Sequence, residues 1–168
     1  MWSRVERLDA HPVEEFSCGD ESIDRWLHES ALSTQAEGAC AVHVAVDDAD
    51  TVHGYFTLSM TALRKLELPR GGNTRRELTP AILLGKLARH EDLASSGAGT
   101  LLLFEALKKA SAAAALAGGS YLIVDVPNPL RRDFYTRNNF VPFHSNAARM
   151  HMKMSTVRAA IAALEEVA

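Results

Sequence analysis

Gly97 and Gly99 stand two apart where a polar stretch, HEDLASSGAG, runs into the helix-forming segment TLLLFEALKKA. The first turn of a helix presents amide N–H groups with no partner inside the helix, and it carries a partial positive charge. It therefore attracts phosphate and other anions. Glycines let the backbone approach the anion's oxygens closely. The pattern is not a Walker A loop, because Lys and Ser or Thr do not follow the last glycine as that motif requires. It is not a Rossmann fingerprint either, because the third glycine is missing. A second unit is Asp133–Phe140, DFYTRNNF, which follows the buried-strand pattern YLIVDV. Its Tyr135 is a candidate general acid. His90 is a candidate base or relay. His11, His28, His43, His53, His144 and His151 show no ligand spacing and are read as solvated or packed.

Cys18 and Cys40 are the only cysteines. Two cannot build a disulfide framework, and neither has a zinc-site spacing to histidine, so no metal is expected. Both are read as packing residues, and a reducing, cytosolic setting follows. The N-terminal MWSRVERLDAHPVEE lacks the apolar stretch of a signal peptide, and no apolar run is long enough to span a bilayer. A chain of 168 residues, 47% hydrophobic and 23% charged, fits one soluble domain, 1–168. The net charge of −3 alone does not indicate nucleic acid. Its distribution is uneven, however. Residues 1–60 hold 3 Arg against 12 Asp or Glu, and residues 61–168 hold 15 Lys or Arg against 9 Asp or Glu. Such asymmetry marks either a face for an anionic partner or an ordinary solvated surface.

The elements that must position these groups read as follows. Arg4 to Leu8 is a first strand. An amphipathic helix starts at Asp20 or Ser22, carries Ile23, Trp26, Leu27 and Ala31 on one face, and ends between Ser33 and Gly38. Ala41–Val46 and His53–Met60 form a hairpin around a turn at Asp47–Asp50. Arg64–Thr79 is a polar, basic connection containing Pro69, Gly71, Gly72 and Asn73. Ala81–Arg89 is a buried strand, Thr100–Ala117 a long helix stopped by Gly118 and Gly119, and Tyr121–Val126 another buried strand. Pro129–Arg137 is a short helix with proline in its first turn, ended by Asn138-Asn139. Phe140–Phe143 and Ala148–Met154 are closing strands. Ser155 caps a last helix, Thr156–Val167. The result is a mixed α/β domain without repeats.

This order resembles the GNAT acyltransferase superfamily. The residues that carry the resemblance are LGKLAR, the G-x-G helix start, and the Phe134-Tyr135…Phe140 unit after the next strand. Three segments are similar to a narrower branch, the tRNA-acetylating toxins. Phe16-Ser17-Cys18-Gly19 with Ile23-Asp24-x-Trp26-Leu27 resembles their opening F-x-C-G…L-D-x-W/F-L. Gly54-Tyr55-Phe56-Thr57-Leu58-Ser59 resembles their G-Y-Y-T-L-S strand. Pro80-Ala81-x-Leu83-Leu84-Gly85-Lys86-Leu87-Ala88 resembles their P-x-x-L-L-G-R-L-A strand. The chain also departs from the superfamily. Ala94 replaces the usual long polar residue of R/Q-x-x-G-x-G/A, and Ser95 replaces a common glycine. Leu87-Ala88-Arg89-His90 stands where L-A-V-D is usual, and Asn139 where glycine is frequent.

The resemblance implies a central, mostly antiparallel sheet flanked by helices and splayed into a V that holds acetyl-CoA. The V would lie between the Ala81–Arg89 and Tyr121–Val126 strands. The pantetheine arm would pair with the backbone of Leu87, Ala88 and Arg89 and pass near Asn128. The pyrophosphate would sit on Ser95, Ser96, Gly97, Ala98, Gly99 and Thr100, and Tyr135 would stand near the sulfur. The implied activity is transfer of acetyl to the α-amine of an aminoacyl-tRNA, blocking translation. A ribbon-helix-helix antitoxin and a homodimer are the implied partnerships. The basic residues Arg64, Lys65, Arg70, Arg75, Arg76, Lys86, Arg89, Lys108, Lys109, Arg131, Arg132 and Arg137 are candidates for a phosphate-binding face. Two alternatives stand beside this reading. One is a GNAT acting on a protein or small-molecule amine. The other is a degenerate GNAT fold serving as a binding or regulatory module, motivated by Ala94 and Ser95.

Overall fold

A computed structural model describes residues 1–69 and 75–168. Arg70 of the basic group, and Gly71, Gly72 and Asn73 of the polar connection, lie outside the described residues. The elements in chain order are β1 (Arg4–Arg7), α1 (Glu21–Glu29), α2 (Ala31–Ala36), β2 (Ala41–Val46), β3 (Val52–Arg64), β4 (Leu78–Arg89), α3 (Ala98–Ala117), β5 (Tyr121–Asp125), α4 (Pro129–Arg137), β6 (Val141–Pro142), β7 (Arg149–Lys153) and α5 (Met154–Val167). Hydrogen-bonded neighbours in the sheet run β1-β2-β3-β4-β5-β7-β6. The β1–β2, β2–β3, β5–β7 and β6–β7 pairs are antiparallel, and β4–β5 is parallel. The mostly antiparallel α/β architecture is therefore as expected.

Contacts divide the chain into two compact units, Met1–Ser59 with Gly85–Ala106, and Met60–Leu84 with Leu107–Ala168. The first has a core of Leu8, Phe16, Leu27, Ala31, Val42, Val44, Val46, Val52, Tyr55 and Ala88, against which Cys18, Ile23, Trp26 and Cys40 pack. Helix α1 supplies its apolar face, and Asp20 caps it by accepting the N–H groups of Ser22 and Ile23. Asp24 accepts the Cys18 N–H at 2.9 Å and the Ser17 hydroxyl at 3.1 Å, fastening the preceding loop. The single helix expected here is two. Ser30, at φ −120°, interrupts it, and its hydroxyl neighbours turn inward: Ser33 and Thr34 both donate to the Ser30 carbonyl.

The second unit packs Leu63, Ala81, Tyr121, Ile123 and Phe143, with Leu68 and Leu83 against them. Strand β4 pairs with β5 from Ala81–Tyr121 to Leu84–Val124, and the pairing ends there. β4 begins three residues earlier than expected, at Leu78. Pro80 sits inside it, lacking an N–H but offering its carbonyl to Ser120 N–H at 2.9 Å. β3 likewise runs on to Arg64, and a 3-10 turn covers Lys65–Glu67. Helix α5 starts at Met154 and not after Ser155. Its flanking residue Lys153 makes no side-chain cap; the start is set by burial of Met154 and its N–H bond to Ser120 O. The closing strands β6 and β7 are each shorter than expected. No described helix is long and apolar enough to cross a membrane.

Candidate cofactor site

The start of α3 is built by a chain of local devices in the first unit. Gly54 on β3 admits the helix: a Cβ there would lie 2.9 Å from the Leu102 side chain and 3.1 Å from the Ala88 carbonyl. His90, just past β4, donates its N–H to His53 O at 2.7 Å. Its Nδ1 accepts the Asp92 N–H at 3.2 Å, which starts the 3-10 turn Glu91–Leu93. Glu91 N–H reaches Ser17 O at 2.8 Å, tying this turn to the segment before α1. That leaves Nε2 of His90 as the protonated nitrogen. The imidazole stands edge-on to Phe16 and lines a cavity of about 320 Å³ with Phe16, His53 and Leu93. His90 is thus occupied as a capping residue.

The chain then bends twice through left-handed backbone, at Ser95 (φ 59°) and Gly97 (φ 82°). Ser95 holds a left-handed conformation that glycine adopts at less cost. Ser96 donates its N–H and its hydroxyl to Leu93 O and accepts the Ala98 N–H at 3.3 Å. This cap starts the helix at Ala98. Ala98, Gly99 and Thr100 are therefore first-turn residues and not loop. The amide N–H groups of Ser95, Gly97 and Gly99 have no acceptor among the described residues. No acidic side chain stands in the first turn of α3, and the space beside Gly97 is open. Three unpaired amides at a helix start form a cradle for an oxyanion.

Before this loop, Leu87 and Arg89 are partly exposed and Ala88 is buried. The register of β4 with β5 ends at Leu84, before these three residues. The Arg89 guanidinium turns back onto His90 O at 3.2 Å. Lys86 holds its ammonium 4.6 Å above the Trp26 ring, which stacks on Tyr55. Trp26 anchors the first core, as its spacing on α1 implied.

In the second unit, α4 spans the residues expected, Pro129–Arg137, and Asn139 takes left-handed backbone at φ 68°. Asn128 is its cap: Oδ1 accepts the Leu130 N–H at 3.0 Å. The signal for that role was present in the sequence, an Asn directly before a first-turn proline. Arg132 fastens the same turn through Val126 O and Pro127 O. Tyr135 is buried on α4, its ring edge-to-face with Phe134 at 5.1 Å and Phe140 at 5.5 Å. Burial pushes its phenol up to about 12, with Arg131 acting in the opposite direction. The hydroxyl therefore keeps its proton through the physiological range.

The cysteines are packing residues. Burial, helped by Asp24, pushes the Cys18 thiol up to about 11, and burial raises Cys40 as well, so neither is a poised thiolate. No group of three or more His, Cys, Asp or Glu able to hold a metal occurs among the described residues.

No family model matches the chain. A tRNA-acetylating toxin of Mycobacterium tuberculosis is 28% identical over 156 residues, covering 91% of this chain and 92% of the relative. Among solved structures, AtaT complexed with acetyl-methionyl-tRNAfMet has a TM-score of 0.85 at 21% identity, covering 94% of this chain and 98% of AtaT. A tyrosine-to-phenylalanine variant of KacT has a TM-score of 0.85 at 20% identity, covering 95% of this chain and 99% of KacT. In sequence and in fold the chain resembles the tRNA-acetylating toxins, and its architecture is that of the GNAT acyltransferases.

Proposed function

We propose that residues 1–168 act as one acetyl-CoA-dependent N-acetyltransferase whose acceptor is the α-amine of an aminoacyl-tRNA. The observation that carries the reading is the cradle of unpaired amides at Ser95, Gly97 and Gly99. It offers what a pyrophosphate needs without any basic side chain. Leu87, Ala88 and Arg89 form the end of β4, where an amide-bearing arm such as pantetheine can pair with the strand, and Ser96, Ala98 and Thr100 complete the loop and first turn around the phosphates. In the second unit the amide NH₂ of Asn128 remains as a donor, since only its Oδ1 is spent on the cap.

The chemistry is direct transfer. The neutral α-amine attacks the thioester carbonyl, the C–S bond breaks, and the acetyl group ends on nitrogen. An α-amino group has a pKa near ~8, so about a tenth of it is already deprotonated at neutral pH and no strong base is required. A main-chain N–H at Arg89 polarises the carbonyl as negative charge develops. Tyr135 protonates the departing thiolate, the proton lost by the amine passes to solvent, and Tyr135 regains its own proton from solvent.

The relatives support this acceptor. AtaT has been solved with acetyl-CoA and with an acetylated methionyl-tRNA, and bound to the C-terminus of its antitoxin AtaR. We further propose that the chain works in the cytoplasm as a homodimeric toxin restrained by a ribbon-helix-helix antitoxin. The left-handed Ser95 argues against a degenerate binding module, because the loop retains the geometry its glycine would give. The deciding experiment incubates the protein with labelled acetyl-CoA and a charged tRNA pool. Label on the aminoacyl moiety is expected. Label on peptide or small amines alone would move the acceptor to those classes, and no transfer with no acetyl-CoA binding would sink the enzyme reading.

A further inference from the structure

Strand N–H groups ordinarily go to main-chain carbonyls of the neighbouring strand. The Lys86 N–H donates to a side chain on the neighbouring strand, the hydroxyl of Thr57 on β3, at 2.9 Å. Thr57 is buried, and its β-branched side chain is stiff, so that oxygen is held in one place. It also occupies the space that residue 85 would otherwise fill: a Cβ on Gly85 would lie 2.7 Å from it. The hydroxyl fits only because position 85 has no side chain. Residue 86 is held a second time through its own side chain, by the Lys86 ammonium over Trp26. Trp26 stacks on Tyr55, whose hydroxyl donates to Ile23 O at 3.0 Å. A buried, stiff hydroxyl that accepts a strand N–H holds the main chain locally, and so constrains where the next amides and carbonyls point. The next residues are Leu87, Ala88 and Arg89.

We infer that Thr57 is a positioning residue for the cofactor: with Gly85 it forms a clasp that fixes the main chain of β4 directly before the residues that pair with the pantetheine arm. The inference rests on the acetyl-CoA reading above. It separates Thr57 from an ordinary core threonine, because the consequence falls on ligand binding and not only on stability.

The test pairs Thr57→Val, which keeps the shape and removes the acceptor, with Thr57→Ser, which keeps the hydroxyl. Acetyl-CoA affinity is read by calorimetry and folding by thermal melting. The clasp predicts a Kd raised about tenfold in Thr57→Val and within about twofold of the parent in Thr57→Ser. A Thr57→Val protein that melts earlier but binds acetyl-CoA normally overturns the inference. So does a Thr57→Ser protein as impaired as Thr57→Val. Should Thr57→Val fail to fold, Gly85→Ala supplies the readout, since its methyl presses on the same hydroxyl. A comparable loss of affinity supports the clasp, and an unchanged Kd overturns it. Should the parent protein bind no acetyl-CoA, the cofactor reading itself fails and takes the clasp with it. A parent that binds while Thr57→Val binds equally leaves the cofactor reading standing and removes only the clasp.

Discussion

The starts of α3 and α4 face the same physical problem and meet it differently. Each helix opens with amide donors that have no intrahelical acceptor. At α4 the problem is closed within the protein: Asn128 takes the Leu130 N–H, Pro129 has no N–H to satisfy, and Arg132 locks the turn. At α3 the Ser96 hydroxyl takes only the Ala98 N–H, and Ser95, Gly97 and Gly99 keep theirs. The α3 start also uses two left-handed residues, one of them a serine, to arrange those donors. A helix start that satisfies itself serves the fold, and one left open at conformational cost is available to a ligand. In α4 the proposed chemistry lies further along the helix, at Tyr135.

The largest effect that would sharpen this contrast is on α4. Tyr135→Phe keeps the ring and its contacts with Phe134 and Phe140 and deletes the proton donor. Turnover on aminoacyl-tRNA should fall by ~10²–10⁴-fold with acetyl-CoA affinity unchanged. Because burial raises the phenol to about 12, the parent enzyme's rate should climb as the amine loses its proton and show no descending limb at pH 10. A full-speed Tyr135→Phe enzyme would remove the general acid from α4.

Gly97→Asp acts on the other helix start. It forces a side chain into left-handed backbone and sets a carboxylate against the cradle. Acetyl-CoA affinity should drop by roughly 100-fold, on the order of 3 kcal/mol, measured by calorimetry. Tight binding by this variant would break the comparison, because the open amides would then hold nothing.

Asn128→Ala probes the closed start. Losing the cap should cost about 1 kcal/mol in denaturant unfolding and leave acetyl-CoA affinity within a few-fold. A large loss of affinity at normal stability would show that Asn128 serves the ligand more than the helix. The smallest effect is Ser95→Gly. Relief of the left-handed serine, partly offset by a freer unfolded chain, should raise stability by roughly 0.5 kcal/mol without weakening acetyl-CoA binding.

How far the sequence could be read followed from the range of the forces involved. Pro129 and Asn139 carry their conformations with them, so α4 was legible to the residue. Ile23, Leu27 and Ala31 keep helical spacing across Ser30, so the break between α1 and α2 left no trace in the pattern. Ala81 read as the start of β4, but the strand begins at Leu78, with Pro80 inside it and the Pro80 carbonyl accepting the Ser120 N–H. Ser155 looked like a cap, but burial of Met154 set the start of α5. Within the site, the two glycines located the cradle. The left-handed Ser95 needed coordinates, whereas the cap at Asn128 was signalled by the proline that follows it. The hold of Thr57 on Lys86 spans 29 residues, and the Lys86–Trp26 contact joins an early helix to a later strand. Neither leaves a local signature.

The open-versus-closed distinction can be tested amide by amide. Titrating ¹⁵N-labelled protein with acetyl-CoA should move the resonances of Ser95, Gly97 and Gly99 together, in a saturable way. The Leu130 amide, already bonded to Asn128, should move little. If Leu130 shifts while the three α3 amides stay in place, the cradle does not bind the pyrophosphate, and the account of this site is wrong.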